Sequence, residues 1–385
     1  MDAKRIGIVG TGFIARGLIL ALAEHADLKV SKVLTRRKLH ECPNFPGQEK
    51  LTNDVDDLIE HSDLIVECSG DVIHGTEVIH KLLTASLPVV TMNAEFHVTT
   101  GSYFVNKGFV TEAEGDQPGC LAILKENAVS MGFKPLVYGN VKGFLNHTPE
   151  WNDMKYWAKK HGISLRMVTA FTDGTKIEIE QALVANGLNA DIAEVGLLGI
   201  PSNDINTGAL VLADKAKVNG YPISDYLLIP RSPASVFIVA EHHENQREAL
   251  KYFKLGDGPY YTLTSSFHLC HLEIIKTIRR VFSGGGILLN NGVLPAVGVA
   301  SIAKRTLNPG DKIEDGIGSF DVRGKACHIR NHIGHVPIGL LKNAVVKRRI
   351  APGQLIHFDD IEIPESLALT AWIEIERSVR LQSRT

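Results

Sequence analysis

The sequence predicts an α/β protein in three parts: an N-terminal parallel sheet wound with helices on both faces, an α+β domain after it, and a small β-rich C-terminal module. Three observations carry this prediction. Short apolar strand patterns alternate with helix-period runs from Arg5 to Met92; past Gly132 the texture shifts to glycine-punctuated strands and longer helices; the end of the chain is short strands broken by Pro-Gly turns. The length of 385 residues agrees, because a single hydrophobic core rarely grows past about 250–300 residues. The boundaries are expected at 1–130, 131–304 and 305–385, with 271–304 packing back on the first domain.

In order, Ile6-Gly7-Ile8-Val9 reads as a buried strand and Phe13 to Ala23 as a helix. Leu28 to Leu34 is the second strand, ending at Thr35-Arg36-Arg37-Lys38, and Asp63 to Cys68 the third, ending at Ser69-Gly70. Val72 to Thr84 has helical period and Pro88 to Met92 is the fourth strand. In the second domain Leu165 to Phe171 and Val236 to Ala240 read as strands and Ile177 to Val184 as a helix. His271 to Ala303 carries two helix-like runs around Ser283-Gly284-Gly285-Gly286. Asn308-Pro309-Gly310-Asp311 and Ala351-Pro352-Gly353-Gln354, each followed by a strand, hint at a pseudo-repeat in the last module.

Charge is nearly balanced, 41 Lys+Arg against 43 Asp+Glu, which argues against a nucleic-acid or anionic-membrane surface and for a small-molecule partner. Five cysteines (Cys42, Cys68, Cys120, Cys270, Cys327) form no CxxC pair, and their odd number suits a reducing compartment. With no apolar run of about 18 residues and no signal-like start, the expected location is the cytoplasm. A homo-oligomer is expected.

Gly10-Thr11-Gly12-Phe13-Ile14-Ala15 follows a strand and opens a helix. In that setting Gly10 permits the tight turn, Gly12 lets backbone approach a pyrophosphate, Ala15 keeps helix near sheet, and the helix N-terminus faces the anion. This predicts a dinucleotide-binding Rossmann domain, with Phe13 and Ile14 in the binding turn. An NAD-selective site ends its second strand on Asp or Glu; Arg36 and Arg37 stand there instead and point to NADP(H) over NAD(H). Ser69, Gly70 and Asn93 fall at the carboxyl edge of the sheet, suited to contact with nicotinamide.

The stretch Ile65-Val66-Glu67-Cys68-Ser69-Gly70 with Val89-Val90-Thr91-Met92-Asn93-Ala94-Glu95 resembles the cofactor-domain ending of the homoserine dehydrogenase superfamily, although Ala94 replaces that family's lysine. Five further stretches, Glu114 to Pro118, Tyr138 to Gly143, Phe171 to Lys176, Gly256 to Tyr260 and His268-Leu269, are similar to a branch with a distinct catalytic domain and a C-terminal SAF (antifreeze-like, β-clip) domain. That branch includes 1-deoxyxylulose-5-phosphate reductoisomerase-like enzymes. Val336 to Leu340 with Lys347 to Ile361 is similar to the SAF module. The resemblance implies an oxidoreductase, with its fold and cofactor class better defined than its substrate.

Carbonyl reduction needs a proton donor near the oxygen and cationic anchors for an anionic substrate. Asp116 in a Gly/Pro-bounded loop, Lys142 in a Gly-flanked turn, and Asp173 with Lys176 in a turn after the Leu165 strand are the candidate catalytic residues. Asp173 is expected to hold Lys176 charged, and Glu180 to pair with Lys176 at i,i+4. The same stretches supply Gln117, Asn140, Thr175 and His268 as candidate substrate contacts. His328, His332 and His335 lie in the β-rich part, where their spacing gathers no helical face, and no metal is expected. The expected function is NAD(P)H-dependent reduction of a carbonyl in a small polar, phosphorylated or sugar-derived substrate. Reductoisomerisation, homoserine dehydrogenase activity and a non-catalytic dinucleotide sensor are the alternatives.

Overall fold

Six parallel strands build the N-terminal sheet in the order β3-β2-β1-β4-β5-β6, in a computed structural model that describes residues 2–382. They are β1 (Lys4–Val9), β2 (Leu28–Leu34), β3 (Leu51–Thr52), β4 (Leu64–Glu67), β5 (Val89–Thr91) and β6 (Val110–Glu112). Ile6, Ile8, Leu64, Val66 and Val90 face one layer with the helices α1 (Phe13–Leu22) and α12 (Ile274–Phe282). Val9, Ile65 and Val89 face the other, with α3 (Val72–Thr84). Burial on both faces is why these strands are continuous apolar runs rather than alternating ones. The short β3 and β6, and α2 (Val55–Glu60), lie at the edges where apolar patterning is weakest. Residues from 271 onward pack on the first domain through Ile274, Ile275 and Ile278 of α12.

After two single-turn helices, α4 (Ala94–Phe96) and α5 (Ser102–Phe104), the helix α6 (Gln117–Ser130) leads into the second domain. Its sheet is mixed, in the order β11-β10-β7-β9-β8. The strands are β7 (Lys134–Lys142), β8 (Ile200–Pro201), β9 (Ile223–Leu228), β10 (Val236–Glu241) and β11 (Tyr260–Ser265). β7, β8 and β9 run parallel, while β10 is antiparallel to β7 and β11. One face packs on α10 (Ile205–Asn219). The other is filled by α6 and by α9 (Thr175–Leu188), nearly all of whose side chains are buried.

Three expectations are corrected here. Leu165 to Phe171 is not a strand but part of a helix, α8 (Leu165–Thr172), packed beside α7 (Trp151–His161). A short apolar run fits either state by period; the Ser164 side chain accepts the Met167 N–H as an N-cap and decides for helix. The second helix-like run before Ala303 is the strand β12 (Val297–Ala303), antiparallel to β14 (Val322–His328) along its whole length. A second small sheet joins β13 (Lys312–Asp315), β15 (Lys342–Val346) and β16 (Ile361–Glu362). The C-terminal part is therefore antiparallel β structure, but it ends on an unforeseen helix, α13 (Leu367–Gln382). Ala368, Trp372 and Ile375 of α13 form one cluster with Ile329 and Leu340, against which Ile73 of the cofactor domain packs. The remaining helix, α11 (Arg247–Tyr252), is peripheral and buries no residue.

Helix α9 is tied to β14 by Glu178, whose carboxylate accepts the Ala326 N–H at 2.8 Å. Burial pushes the Glu178 pKa up to about 8, against the opposing pull of that hydrogen bond and of Arg323. The folded protein thus holds the proton more tightly than the unfolded chain, so stability is present below the ordinary value of 4.5 and is lost as pH rises through about 8. Glu178→Gln, which keeps an acceptor for Ala326, should raise the melting midpoint near pH 8 and leave it nearly unchanged near pH 4.5. Equal shifts at both pH values would refute this account.

Candidate active site

The glycine turn is built as its sequence requires. Gly10 has φ +113, where a Cβ would stand 3.1 Å from the Cys68 carbonyl oxygen, whereas a Cβ on Gly12 would meet nothing within 4 Å. Gly12 precedes α1 without a side-chain cap, so the first N–H groups of the helix face open space, the setting in which a dinucleotide pyrophosphate is held. Phe13 is exposed and Ile14 packs partly on the core. The residues present therefore fit a dinucleotide.

At the carboxyl edge, buried Glu67 holds the ends of β4 and β5 together: the Ser69 N–H and hydroxyl bond its Oε1 at 2.8 and 2.5 Å, and the Thr91 hydroxyl its Oε2 at 2.8 Å. Gly70 has φ +63, and its carbonyl accepts from Arg166 of α8 at 2.9 Å. Asn93 is fully buried and caps α4 through the Phe96 N–H. Arg36 and Arg37 stand exposed past β2, and Asn53 holds that turn by bonding the carbonyls of Thr35 and Arg37.

Lys176, in the first turn of α9, is buried where the catalytic domain meets this edge. Its ammonium lies 3.1 Å from Glu95 of α4 and 3.5 Å from Asp116, the residue preceding α6. Burial by itself would lower its pKa; the neighbouring carboxylates, Asp116 and Glu95 first, outweigh that and hold Lys176 well above the ordinary lysine value. Burial first, and then the charge of Asp116, raise the Glu112 pKa well above the ordinary carboxylate value, which favours its neutral form. The His97 ring, whose pKa burial lowers to about 3, stands 3.4 Å from Glu112 without a hydrogen bond.

One turn along α9, Glu180 receives the Asn140 amide at 3.0 Å and the Lys142 ammonium at 3.3 Å, both on Oε2. Burial raises the Glu180 pKa. Its Oε1 and the Oδ1 of Asn140 are buried and have no partner in the protein. Unpaired buried polar atoms cost free energy unless a ligand or water meets them, so this pair is a candidate position for a bound molecule or an ordered water.

The structure thus brings Lys176, Asp116, Lys142 and Asn140 together and leaves Asp173 out. Asp173 bonds the Thr175 N–H at 2.8 Å and pairs with Lys304 at 2.6 Å, so it cannot be the residue that keeps Lys176 charged. Glu180 pairs with Lys142, not Lys176, and Lys142 ends a strand rather than occupying a turn. The Thr175 hydroxyl accepts the Gly324 N–H at 3.0 Å, a contact with β14. Gln117 begins α6 and is buried. His268 lies half-buried in the loop before α12 with its Nδ1 unpartnered. His328 pairs with Asp191 and His335 packs on Trp372; among the described residues no His, Cys, Asp and Glu group could hold a metal. Sequence reasoning missed Glu95 and Glu112. The alternation Glu112-Ala113-Glu114-Gly115-Asp116 was the available signal, since it places acids at a strand end that the weak β6 pattern hid.

A Rossmann edge facing a buried lysine among carboxylates is the setting of a dinucleotide-dependent oxidoreductase, and comparison with known proteins places the chain in that class. Residues 10–103 match the family model of the homoserine dehydrogenase NAD-binding domain, and residues 115–274 that of the catalytic domain of the oxidoreductase DRL. The chain is an NAD(P)-dependent oxidoreductase that joins these two domain types. No curated protein matches it in sequence. Among solved structures, homoserine dehydrogenase of S. aureus is 11% identical with a TM-score of 0.44, covering 84% of this chain and 92% of that one. UDP-N-acetylglucosamine 3-dehydrogenase of Acidithiobacillus ferrooxidans is 11% identical with a TM-score of 0.42, covering 76% and 93%. Among the described residues no helix is long and apolar enough to cross a membrane.

Proposed function

We propose that the protein reduces a carbonyl group on a small, polar, anionic substrate and prefers NADPH. The observation that carries this reading is the Lys176 cluster, with the unpaired Glu180 Oε1 and Asn140 Oδ1 beside it. The nicotinamide, when bound, supplies the hydride. Lys176, held firmly as a cation, is an electrostatic clamp for the oxygen on which negative charge develops and a poor proton source. Glu180 serves as the proton donor: both donors occupy its Oε2, which leaves Oε1 to carry the proton, and burial favours that protonated form. Lys142 supplies a second positive charge for an anionic substituent.

Preference for NADPH rests on a cleft of about 270 Å³ at the end of β2, lined by Thr35, Arg36, Arg37, Lys38, Asn53 and His74 among others, with no carboxylate in its lining. Such a lining suits a 2′-phosphate and offers no carboxylate to a ribose 2′-hydroxyl. NADPH should therefore bind more tightly than NADH in fluorescence titration, and charge reversal of both Arg36 and Arg37 should invert the order. Equal affinities in the unmodified protein would remove the preference.

The reaction is tested by NADPH oxidation against keto acids, aldehydes and sugar phosphates, with 1-deoxyxylulose 5-phosphate and aspartate semialdehyde included. Turnover with one substrate class supports the reading, and product analysis separates plain reduction from reductoisomerisation. Tight cofactor binding with no oxidation by any carbonyl compound would favour a dinucleotide sensor.

A further inference from the structure

Asp71 precedes α3 at the cofactor edge and is a meeting point of the cofactor domain and the C-terminal module. Its Oδ1 accepts the His74 N–H at 3.1 Å and so caps the helix. Its Oδ2 is shared by two cations, Arg36 of the cofactor domain at 2.9 Å and Lys342, the first residue of β15 in the C-terminal module, at 2.5 Å. Burial favours the neutral acid, but the Lys342 hydrogen bond, the His74 N–H and the Arg36 charge together hold Asp71 well below the usual carboxylate range. Asp315, the other carboxylate that feels Lys342, is engaged by Arg166 at 3.1 Å. Arg36 and His74 line both the cleft at the end of β2 and a second cleft of about 250 Å³ that Lys342 also lines.

We infer that Lys342 is a positioning residue for cofactor selectivity: by neutralising Asp71 it frees Arg36 to turn to a 2′-phosphate. The side chain of Asp71 is only 8% exposed, whereas that of Arg36 is 57% exposed. If Arg36 were the sole partner, turning it to a phosphate would strand a buried carboxylate, and that cost would be subtracted from NADPH affinity. NADH asks nothing of Arg36 and escapes the cost. Lys342 is held by strand pairing of β15 to β13 and β16 and remains on Asp71 when Arg36 leaves. The C-terminal module therefore tunes a site on the N-terminal domain.

This inference rests on the reading of Arg36 as the 2′-phosphate contact, and titration of NADPH and NADH by fluorescence separates the two. Lys342→Met should weaken NADPH by about tenfold and NADH by less than about twofold, since only the phosphate requires Arg36 to move. Lys342→Arg should keep the NADPH preference. Adding Asp71→Asn to Lys342→Met should restore NADPH affinity, because asparagine still caps α3 but no longer holds Arg36. Loss of both cofactors alike in Lys342→Met would overturn the inference as a merely structural effect. Failure of the double variant to recover would also overturn it, by making Lys342 a direct phosphate contact. Arg36→Met is the separate control: an unchanged NADPH-to-NADH ratio there would sink the Arg36 reading itself.

Discussion

Lys176→Ala should lower kcat by roughly 10²–10³-fold, the usual consequence of removing one preorganised stabiliser of a developing oxyanion. The ammonium is the only cation within 4 Å of Glu95 or Asp116 among the described residues, so its loss leaves two carboxylates where negative charge must form. Cofactor affinity should change by less than about twofold, since the glycine turn and the Arg36 cleft are built from other residues. Single-turnover kinetics and fluorescence titration check the two halves. Intact turnover would remove Lys176 from the mechanism. Glu180→Gln gives the contrasting result. A general acid must be protonated, so kcat/KM for reduction should fall as pH rises through the Glu180 pKa, which burial places above the ordinary carboxylate range. The glutamine variant should be slow at every pH and lack that falling limb. A limb that persists would assign the proton elsewhere.

Trp372→Ala should cost about 3–5 kcal/mol of stability, the range for emptying a large aromatic site in a packed core. Trp372 is 1% exposed, stands edge-on to His335 at 5.2 Å, and anchors α13 in the cluster of Ile329, Leu340 and Ile375. Because Ile73 of α3 packs on the same cluster, the loss should loosen the C-terminal module from the cofactor domain as well. Urea unfolding, followed by far-ultraviolet circular dichroism, measures the shift. A change below about 1 kcal/mol would mean that α13 is an appendage and not part of the core.

Much of the cofactor domain was legible because its signals are local. The bounds of β2 and α3 coincide with the apolar runs Leu28 to Leu34 and Val72 to Thr84, and the Gly10 turn lies where strand gives way to helix. Legibility failed where a segment was short or its period ambiguous. β3 and β6 have too few residues to show a pattern, and the short run Leu165 to Phe171 in α8 reads as strand until its serine cap is seen bonded. Helix α13 went unread behind a succession of short strands. The Pro-Gly turns at Pro309 and Pro352 were real punctuation, yet the strands near them, β13 and β16, belong to one sheet through β15 and not to two repeats.

The site divides in the same way. Sequence by itself determined which chemistry-bearing residues were present, and it nominated Lys176, Asp116, Lys142 and Asn140 together with Asp173, which pairs elsewhere. It determined the dinucleotide turn completely, because backbone conformation at Gly10 and the helix that follows depend on a few adjacent residues. Only the tertiary structure decided who pairs with whom. Lys176 meets Glu95 across 81 positions, Lys304 takes Asp173 across 131, and Lys342 reaches Asp71 across 271. The physical reason is that a charge responds to distance and burial in space: the attraction between two groups falls with their separation and grows as water is excluded, and neither quantity is written in the interval between them along the chain.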